Sequence, residues 1–446
     1  MPNHIEALSG SDAGSSGAGL KPARPLTATQ IVAGVRAGGL RASEVVAGRL
    51  EAVSNSDSVI GAFRSTSAEY VDTQLRADSA RPIGPLSGVC VGVKDVIDTS
   101  ALPTGYGSPL FEEHQPDRDA AVVTRIRDAG GVILGKTECT EFAMFQPSRT
   151  RNPVDLTRTP GGSSSGSAAA VAAGMVPVAL GTQTAGSVIR PAAYCGVYGF
   201  TPTRGWTDAD GIWSLAESLD TVGVFARTVA DLELCYRALA VEGLHASPDT
   251  SRRALLLRCD EWGLCDPVVY EALEATAAAL RDHGWVVAEA PLPPTWRDLP
   301  EDHKTLMAIE VATSMTAALG DRIDGISTAA RAVVEQGLRA NPGDHAAVLR
   351  RRDAALGDAR RLAGIGDVVL APSALGVAPP GLDFTGDPVM CRPATLLGLP
   401  AANVPGYTDT SGLPVGVQVV GLHGDDRTLL ADLAAIEAAL SSTERN

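Results

Sequence analysis

The sequence is poor in aromatic residues and has no excess of positive charge. Phenylalanine, tyrosine and tryptophan make up 4% of the 446 residues, so alanine, valine and leucine must fill most of the core. The formal net charge of −15 argues against nucleic acid or an anionic membrane as a partner, because both attract basic surfaces. No run of about 18 apolar residues occurs, so no membrane span is predicted.

The sequence also lacks the patterns of secretion and of cysteine-based scaffolds. The N-terminus has no basic segment followed by an apolar one, so no signal peptide is predicted. The seven cysteines are odd in number and no CxxC pair occurs, which argues against a disulfide framework or a zinc site. We therefore expect reduced thiols and a cytoplasmic protein.

What the sequence does contain is an alternation of strand and helix patterns. Residues 1–24 are rich in glycine and serine and are predicted to form a disordered tail. After this tail, apolar strand patterns such as 88–98 alternate with amphipathic helix patterns to the end of the chain. This alternation predicts an α/β fold, with one large sheet preferred to two domains.

Two stretches match known motifs but stand in the wrong context. The segment GGVILGKT (130–137) fits the phosphate-binding pattern G-x-x-x-x-G-K-T, yet its centre is an apolar run typical of a strand, so we interpret it as a strand. The segment GSSSG (162–166) fits the nucleophile-elbow pattern around Ser164, but a loop precedes it instead of an apolar strand. A Ser-His-Asp hydrolase using Ser164 and His423 is kept as an alternative, although His423 is more simply a surface loop residue.

A second serine turn and an upstream lysine form a more consistent set. In LGTQTAGSVIRP (180–191), small residues follow an apolar strand and allow backbone N–H groups to converge, as an oxyanion hole requires. Lys94 stands within the apolar strand pattern GVCVGVKDVID, where burial would lower its pKa and allow it to accept a proton. From these residues alone, an ion pair of Lys94 with Asp95 or Asp98 is the simpler interpretation.

The stretch 161–205, which begins GGSSSGSAAAVAAG, resembles the Gly/Ser-rich core of the amidase signature family, and GVKDVIDT upstream resembles it too. A weaker likeness extends over most of the chain after residue 26. The resemblance implies a single amidase domain over residues 25–446, built on one large mixed, twisted β-sheet with helices on both faces. It also implies that 241–365 is a variable, mainly helical region that contributes to the substrate pocket.

The resemblance assigns roles to particular residues. It implies a Ser-cisSer-Lys triad, with Ser187 as nucleophile, Ser163 as the bridging serine after a cis peptide bond, and Lys94 as base. It further implies an oxyanion hole formed by the backbone N–H groups of Thr184, Ala185, Gly186 and Ser187. No metal or organic cofactor is needed for this chemistry.

Two positions depart from the family pattern, since Gln183 stands where aspartate is common and Ala185 where glycine is common. Arg190 matches a position where some relatives hold a substrate carboxylate, but an arginine that bonds the loop is at least as simple an interpretation. Candidates for the pocket walls, each of which also fits a core position, are Tyr106, Met144, Phe145, Trp213 and the helical region 305–340.

These residues predict hydrolysis of the C–N acyl bond of a small amide or carbamate through a serine acyl-enzyme. Urethanase and aryl acylamidase activities fit the same machinery. The alternatives are a component of a tRNA-dependent amidotransferase, which would need partner subunits, and an inactive binding protein of the same fold. We expect a monomer or homodimer without a nucleic-acid or membrane partner.

Overall fold

A computed structural model of the protein describes residues 25–78, 82–240, 252–362 and 366–443. The predicted tail 1–24 and parts of the variable region lie outside the described residues. The strands form one mixed sheet of eleven members. They are β1 (Phe63–Thr66), β2 (Cys90–Lys94), β3 (Val132–Thr137), β4 (Val178–Gln183), β5 (Tyr198–Thr201), β6 (Thr221–Ala226), β7 (Arg253–Arg258), β8 (Val286–Pro291), β9 (Val368–Pro372), β10 (Ala401–Thr408) and β11 (Pro414–Val420).

Helices cover both faces of this sheet, which confirms the predicted α/β class. Those in the described ranges are α1 (Ala28–Arg36), α2 (Ala42–Ile60), α3 (Ala68–Asp78), α4 (Ala121–Asp128), α5 (Ser165–Ala172), α6 (Ile189–Cys195), α7 (Val229–Leu239), α8 (Pro267–Asp282), α9 (Leu299–Leu319), α10 (Thr328–Leu338), α11 (Asp344–Leu362), α12 (Arg392–Leu397) and α13 (Asp426–Thr443). None of them is long and apolar enough to cross a lipid bilayer.

The strand order is β1-β3-β2-β4-β6-β5-β10-β11-β9-β7-β8. Strand β2 runs parallel to both β3 and β4, and β7 runs parallel to both β8 and β9. The other neighbours are antiparallel. Every residue of β2, β3 and β4 is buried, which explains their nearly continuous apolar runs. The strand interpretation of GGVILGKT is therefore confirmed, because β3 occupies its last six residues.

The serine-to-alanine stretch after the glycine pair forms α5, which packs against the central strands. All of its residues from Ser165 to Val171 are buried, and the backbone approach is very close at Gly166. A Cβ atom there would lie 2.1 Å from the carbonyl oxygen of Ala62 and 2.5 Å from the N atom of Glu138. Small side chains are thus required for this helix to reach the sheet.

The helical region predicted at 305–340 is divided between α9 and α10 within the described residues, and α11 follows them. Both α10 and α11 pack against α9. All seven cysteines are unpaired, in agreement with the expectation of free thiols.

Candidate active site

The candidate site lies where β2 and β4 end. The two strands run parallel, so their carboxyl ends meet at the same edge of the sheet. Lys94 is the last residue of β2, and Thr182 lies one residue before the end of β4. The segments that carry Ser163 and Ser187 lead from this edge into α5 and α6. The fold thereby brings together residues that are far apart in the sequence.

The Lys94 amine is fully buried and has three oxygen neighbours. Its Nζ atom lies 2.7 Å from Ser163 Oγ, 2.8 Å from Thr182 Oγ1 and 3.2 Å from the Thr182 carbonyl oxygen. A protonated amine can donate to all three atoms. A neutral amine can donate to the two Thr182 atoms and offer its lone pair to the Ser163 hydroxyl. The surroundings therefore suit both protonation states of a base.

The ion pair considered for Lys94 is not formed, and that interpretation is wrong. Asp95 instead lies 3.3 Å from Lys136 Nζ and 3.4 Å from Arg64 Nε. Asp98 accepts a hydrogen bond from the Tyr106 hydroxyl at 2.9 Å. In the described part of the chain no carboxylate lies within 4 Å of the Lys94 amine. For Asp95 the reason is the strand geometry, because side chains of successive residues point to opposite faces of a sheet, whereas Asp98 lies beyond the end of β2.

The absence of a close carboxylate affects the pKa of Lys94. Burial lowers this pKa from an ordinary value of 10.5 to about 7, and the nearby Cys139 and Asp220 oppose the shift only in part. Removal from water disfavours the charged form of an amine, which is the cause of the shift. Lys94 is thus able to exchange a proton near neutral pH.

Ser163 follows a cis peptide bond from Gly162, as the resemblance implied. The Gly162 carbonyl accepts a hydrogen bond from Arg190 Nη2 at 2.7 Å, and Arg190 Nε donates to the Thr385 carbonyl at 2.8 Å. Arg190 therefore holds the serine loop, which favours its structural interpretation. Its Nη1 atom has no hydrogen-bond partner among the residues described, so a role in substrate binding stays a prediction.

The backbone from Thr184 to Ser187 presents N–H groups that lack protein acceptors. Within the described ranges, the N–H groups of Ala185, Gly186 and Ser187 donate to no other residue, although all three residues are buried. The four carbonyls, by contrast, each accept a hydrogen bond. The Thr184 carbonyl accepts from His303 Nε2 at 2.7 Å and the Ala185 carbonyl from Thr395 Oγ1 at 2.8 Å. The Gly186 carbonyl accepts from Arg190 N at 3.0 Å and the Ser187 carbonyl from Ser164 N at 3.4 Å. Buried backbone N–H groups are rarely unpaired, so this row is suited to bind an anionic oxygen.

Gln183 explains how this segment tolerates a departure from the family pattern. Its Oε1 atom accepts from the N–H groups of Val188 and Ile189 at 2.9 and 3.1 Å, and its Nε2 atom donates to Thr395 Oγ1 at 3.0 Å. The amide thus holds the start of α6 without a charge, and an aspartate could not donate to Thr395. At the second departure, Ala185 is not among the residues with positive φ, so its methyl group causes no backbone conflict.

A cavity of about 190 Å³ opens beside these groups. Thr182 and Thr184 line it at the end of β4, next to Lys94 and to the row of free N–H groups. The connection between β5 and β6 provides most of the remaining wall. The apolar side chains in this wall are Trp206, Ala209, Ile212, Trp213, Leu215 and Val222, with Ala143 from another loop.

The predicted pocket residues are distributed differently. Trp213 lines the cavity, and Tyr106 packs behind it with ring centroids 4.8 Å apart. Met144 is buried and Phe145 is half-buried, but neither lines this cavity; nor does any residue of 305–340. The walls come chiefly from the β5–β6 connection because the antiparallel pairing of β4 with β6 turns that connection back over the end of β4.

The Ser-His alternative receives no support from the arrangement. Ser164 is buried and its hydroxyl donates to the Thr182 carbonyl at 3.3 Å. His423 is exposed, in a turn after β11, and no hydrogen bond joins it to Ser164 in the described part of the chain. Ser164 also stands at the start of α5 without an apolar strand directly before it.

Asp220 is a residue of the site that the sequence analysis missed. Its carboxylate accepts from Thr184 Oγ1 at 2.5 Å and from the N–H groups of Leu215 and Ala216 at 2.7 and 3.0 Å. Burial raises the pKa of Asp220 to about 6. This residue ties the end of β4 to the cavity wall. The only signal that could have found it is the strand register, which pairs Gln183 with Thr221.

Comparisons with known proteins agree with this site. The amidase family model matches residues 44–430. A glutamyl-tRNA(Gln) amidotransferase subunit of Anaeromyxobacter sp. (strain K) is 34% identical, over 92% of this chain and 95% of its own. Among solved structures, a 6-aminohexanoate cyclic dimer hydrolase complexed with substrate is 26% identical with a TM-score of 0.83, over 93% of this chain and 97% of that chain. The peptide amidase of Stenotrophomonas maltophilia is 27% identical with a TM-score of 0.78, with the same two coverages.

The chain therefore belongs to the amidase family, as the resemblance predicted. It is an enzyme of that family that acts on C–N bonds. The relatives include both hydrolases and a component of an amidotransferase, so the family alone does not determine the reaction partner of the acyl group.

Proposed function

We propose that the chain hydrolyses the C–N acyl bond of a small amide or carbamate through an acyl-enzyme on Ser187. The observation that carries this proposal is the buried Lys94 amine, which lies 2.7 Å from Ser163 Oγ and has no close carboxylate among the described residues. A neutral amine in this position is a proton acceptor for a serine hydroxyl. Serine is a weak nucleophile until such a base takes its proton.

The proposed reaction has two halves. Ser187 Oγ attacks the substrate carbonyl carbon while its proton passes to Ser163, whose own proton passes to Lys94. The carbonyl oxygen becomes an oxyanion that the N–H groups of Ala185, Gly186 and Ser187 stabilise, with Thr184 completing the predicted set. The C–N bond then breaks as the relay returns the proton to the leaving nitrogen. Water attacks the acyl-enzyme by the same route and releases the carboxylic acid from an amide. From a carbamate it releases a carbonic acid monoester, which breaks down to CO2 and an alcohol.

The cavity favours a compact apolar group on the substrate. An apolar cavity of about 150 Å³ holds a benzene molecule, so about 190 Å³ suits a substituted aromatic ring. Trp206 and Trp213 supply aromatic wall surface. The Trp213 indole N–H is buried without an acceptor in the described ranges and is available to one polar atom of the substrate. Aryl amides and aryl carbamates are therefore the proposed substrate class, with urethanase activity as a specific case.

A second candidate is a component of a tRNA-dependent amidotransferase. The sequence identity of 34% with the glutamyl-tRNA(Gln) amidotransferase subunit of Anaeromyxobacter favours this candidate. The net charge of −15 and the aromatic side chains of the cavity wall favour the hydrolase instead. The two candidates differ in whether the single chain is sufficient for turnover.

The test is an assay of the purified single chain on p-nitroacetanilide, p-nitrophenyl-substituted carbamates and benzamide, without glutamine or tRNA. The proposal expects turnover of at least one class, and loss of both turnover and fluorophosphonate labelling in Ser187→Ala. An inactive single chain that also resists labelling would contradict the hydrolase.

Ser164→Ala is the matched control for this test, because it removes a hydroxyl from the same serine cluster that bonds to the Thr182 carbonyl and to no side chain of the proposed relay. We expect it to be labelled and active. Labelling that persists in Ser187→Ala and disappears in Ser164→Ala would assign the nucleophile to Ser164 instead.

A further inference from the structure

His303 is a buried histidine of α9 that the proposed mechanism does not use. Its Nε2 atom lies 2.7 Å from the carbonyl oxygen of Thr184. A carbonyl oxygen only accepts, so Nε2 carries the proton and donates. Burial, together with the positive charge of Arg392, lowers the pKa of His303 to about 3, and the imidazole is neutral at any pH near 7. His303 is therefore a fixed donor, not an acid or a base.

The contact acts on the peptide unit that joins Thr184 to Ala185. In a trans peptide, the carbonyl of one residue and the N–H of the next point in opposite directions. A donor that is hydrogen-bonded to the Thr184 carbonyl thus fixes the orientation of the peptide unit and, on its opposite side, the direction of the Ala185 N–H. It also polarises the peptide unit, which strengthens the hydrogen bond that this N–H can donate.

The next peptide unit is held in the same way. Thr395 Oγ1 donates to the Ala185 carbonyl at 2.8 Å, and this carbonyl shares its peptide unit with the N–H of Gly186. Two side chains from helices that are far apart in the sequence, α9 and α12, therefore support successive N–H groups that have no acceptor in the described residues. Such a pair of supports serves no ladder or helix, because residues 184–187 belong to neither.

We infer that His303 is a positioning residue that aims and strengthens the Ala185 N–H toward the oxyanion. This inference rests on the proposed function, in which that N–H binds the carbonyl oxygen of the substrate. The effect of His303 is exerted in the transition state, where the negative charge on that oxygen is largest.

The helix that carries His303 is itself anchored against the cavity wall. Glu310 accepts from the N–H of Ser218 at 2.9 Å, and Ser314 Oγ donates to the Leu215 carbonyl at 2.8 Å. Asp302, the neighbour of His303, forms a two-oxygen ion pair with Arg351 of α11. These contacts restrain rotation of α9, so the imidazole is presented to Thr184 by a rigid support.

The test compares His303→Leu with His303→Gln on p-nitroacetanilide, with kcat normalised by fluorophosphonate titration of active sites. Leucine offers no donor, whereas the glutamine Nε2 can occupy the place of the imidazole Nε2. We expect leucine to lower kcat by about 10-fold or more, less than the 10²–10³-fold effect of losing an oxyanion donor itself. We expect glutamine to recover most of this loss, and KM to change little in both variants.

Two further measurements separate this effect from a loss of stability. Affinity for benzeneboronic acid, which forms a tetrahedral adduct on serine, should fall in parallel with kcat in His303→Leu. Thr201→Val is the matched control, because it removes another buried side-chain hydrogen bond to a carbonyl, that of Ala401 at 3.2 Å, from β5, which β6 separates from β4. The control should lower the melting temperature without changing kcat per titrated site.

The outcomes are distinct. If His303→Leu behaves like Thr201→Val while Ser187→Ala is inactive, the inference is overturned and the proposed function stands. If Ser187→Ala keeps its activity, the proposed function fails and the inference fails with it.

If the leucine variant does not fold, ¹⁵N-histidine spectra of the unmodified chain decide the matter. The His303 Nε2 proton, assigned by its absence in His303→Gln, should move downfield when benzeneboronic acid binds. An unchanged resonance would overturn the inference.

Discussion

Lys94 and Lys136 lie near the ends of neighbouring parallel strands, and both side chains are fully buried. Lys136 Nζ lies 3.3 Å from Asp95 Oδ1 and also donates to the Ile97 carbonyl at 2.7 Å and the Thr104 hydroxyl at 2.6 Å. Lys94 has a similar set of one carbonyl and two hydroxyl groups, but no carboxylate among the residues that the structure describes. The two lysines thus differ chiefly in one counter-ion.

That difference separates a structural lysine from the proposed base. Burial lowers the pKa of both amines, and in Lys136 the negative charge of Asp95 opposes the shift. A buried charge with a partner is retained as an ion pair, whereas an amine without one is stable only when it can lose its proton. The same residue type at the same depth can therefore hold the sheet together or carry out chemistry.

The largest expected effect is on activity at Lys94. Lys94→Met should lower kcat per titrated site by about 10²–10⁴-fold, the range expected for loss of a general base. Lys94→Arg should not restore it, because a guanidinium stays protonated. Lys136→Met, assayed in parallel, should keep kcat within a few-fold. An active Lys94→Arg enzyme would contradict the assignment of Lys94 as base.

The second expected effect is on stability, and here the substitution of Lys136 has a larger effect than the substitution of Lys94. Lys136→Met removes the nearest cationic partner of the buried Asp95 carboxylate, so we expect the free energy of unfolding to fall by about 3–5 kcal/mol. Lys94→Met removes no counter-ion and should lower it by much less. Urea titration measures both, and Asp95→Asn added to Lys136→Met should recover part of the loss. Equal losses in the two methionine variants would show that the counter-ion is not what distinguishes them.

The third effect is the pH dependence of kcat/KM. Below the Lys94 pKa of about 7 the amine is protonated in the free enzyme and cannot accept a proton, so the rate should rise about tenfold per pH unit and level off above pH 7. The midpoint belongs to the Lys94–Ser163–Ser187 unit as a whole. A rate profile measured from pH 5 to 9 checks this, and Lys94→Met should be flat. An acid limb that survives in Lys94→Met would assign the titration to another group.

The smallest effect is expected at His423, the alternative base. His423→Ala should leave kcat and KM within about twofold, as is usual for an exposed position away from the chemistry. Steady-state kinetics at pH 7.5 are sufficient for the measurement. A fall in kcat of several orders of magnitude at unchanged melting temperature would restore the Ser-His-Asp interpretation. It would also remove the functional contrast between the two lysines.

The fold was largely predictable from the sequence, because its central strands are buried on both faces. In β2, β3 and β4 this burial produces apolar runs that are recognisable without knowledge of their neighbours. The place of Lys94 in such a run was also enough to predict its burial. The partner of Asp95 was not predictable in this way, since the parallel register of β2 and β3, not proximity in the sequence, brings Lys136 to it.

The walls of the site were predicted less well for a related reason. Large aromatic residues such as Tyr106 and Phe145 were natural candidates, yet the cavity is lined chiefly by the connection between β5 and β6. His303 was hidden by its charged neighbours Asp302 and Lys304, which are typical of an exposed helix face. Asp302 is buried all the same, because Arg351 of another helix pairs with it. Such pairings between distant segments leave no local signal.

The Arg190 side chain has a consequence for the local unfolding of the enzyme. It bonds the loop before Ser163 to the Thr385 segment, and it belongs to the helix that begins two residues after Ser187. Neither serine segment can open toward solvent without releasing the other, so the two form one unit of local unfolding. Amide hydrogens of 161–166 and 188–195 should then exchange with deuterium at a common rate. On warming, activity would disappear in a single step rather than decline gradually as one loop frays.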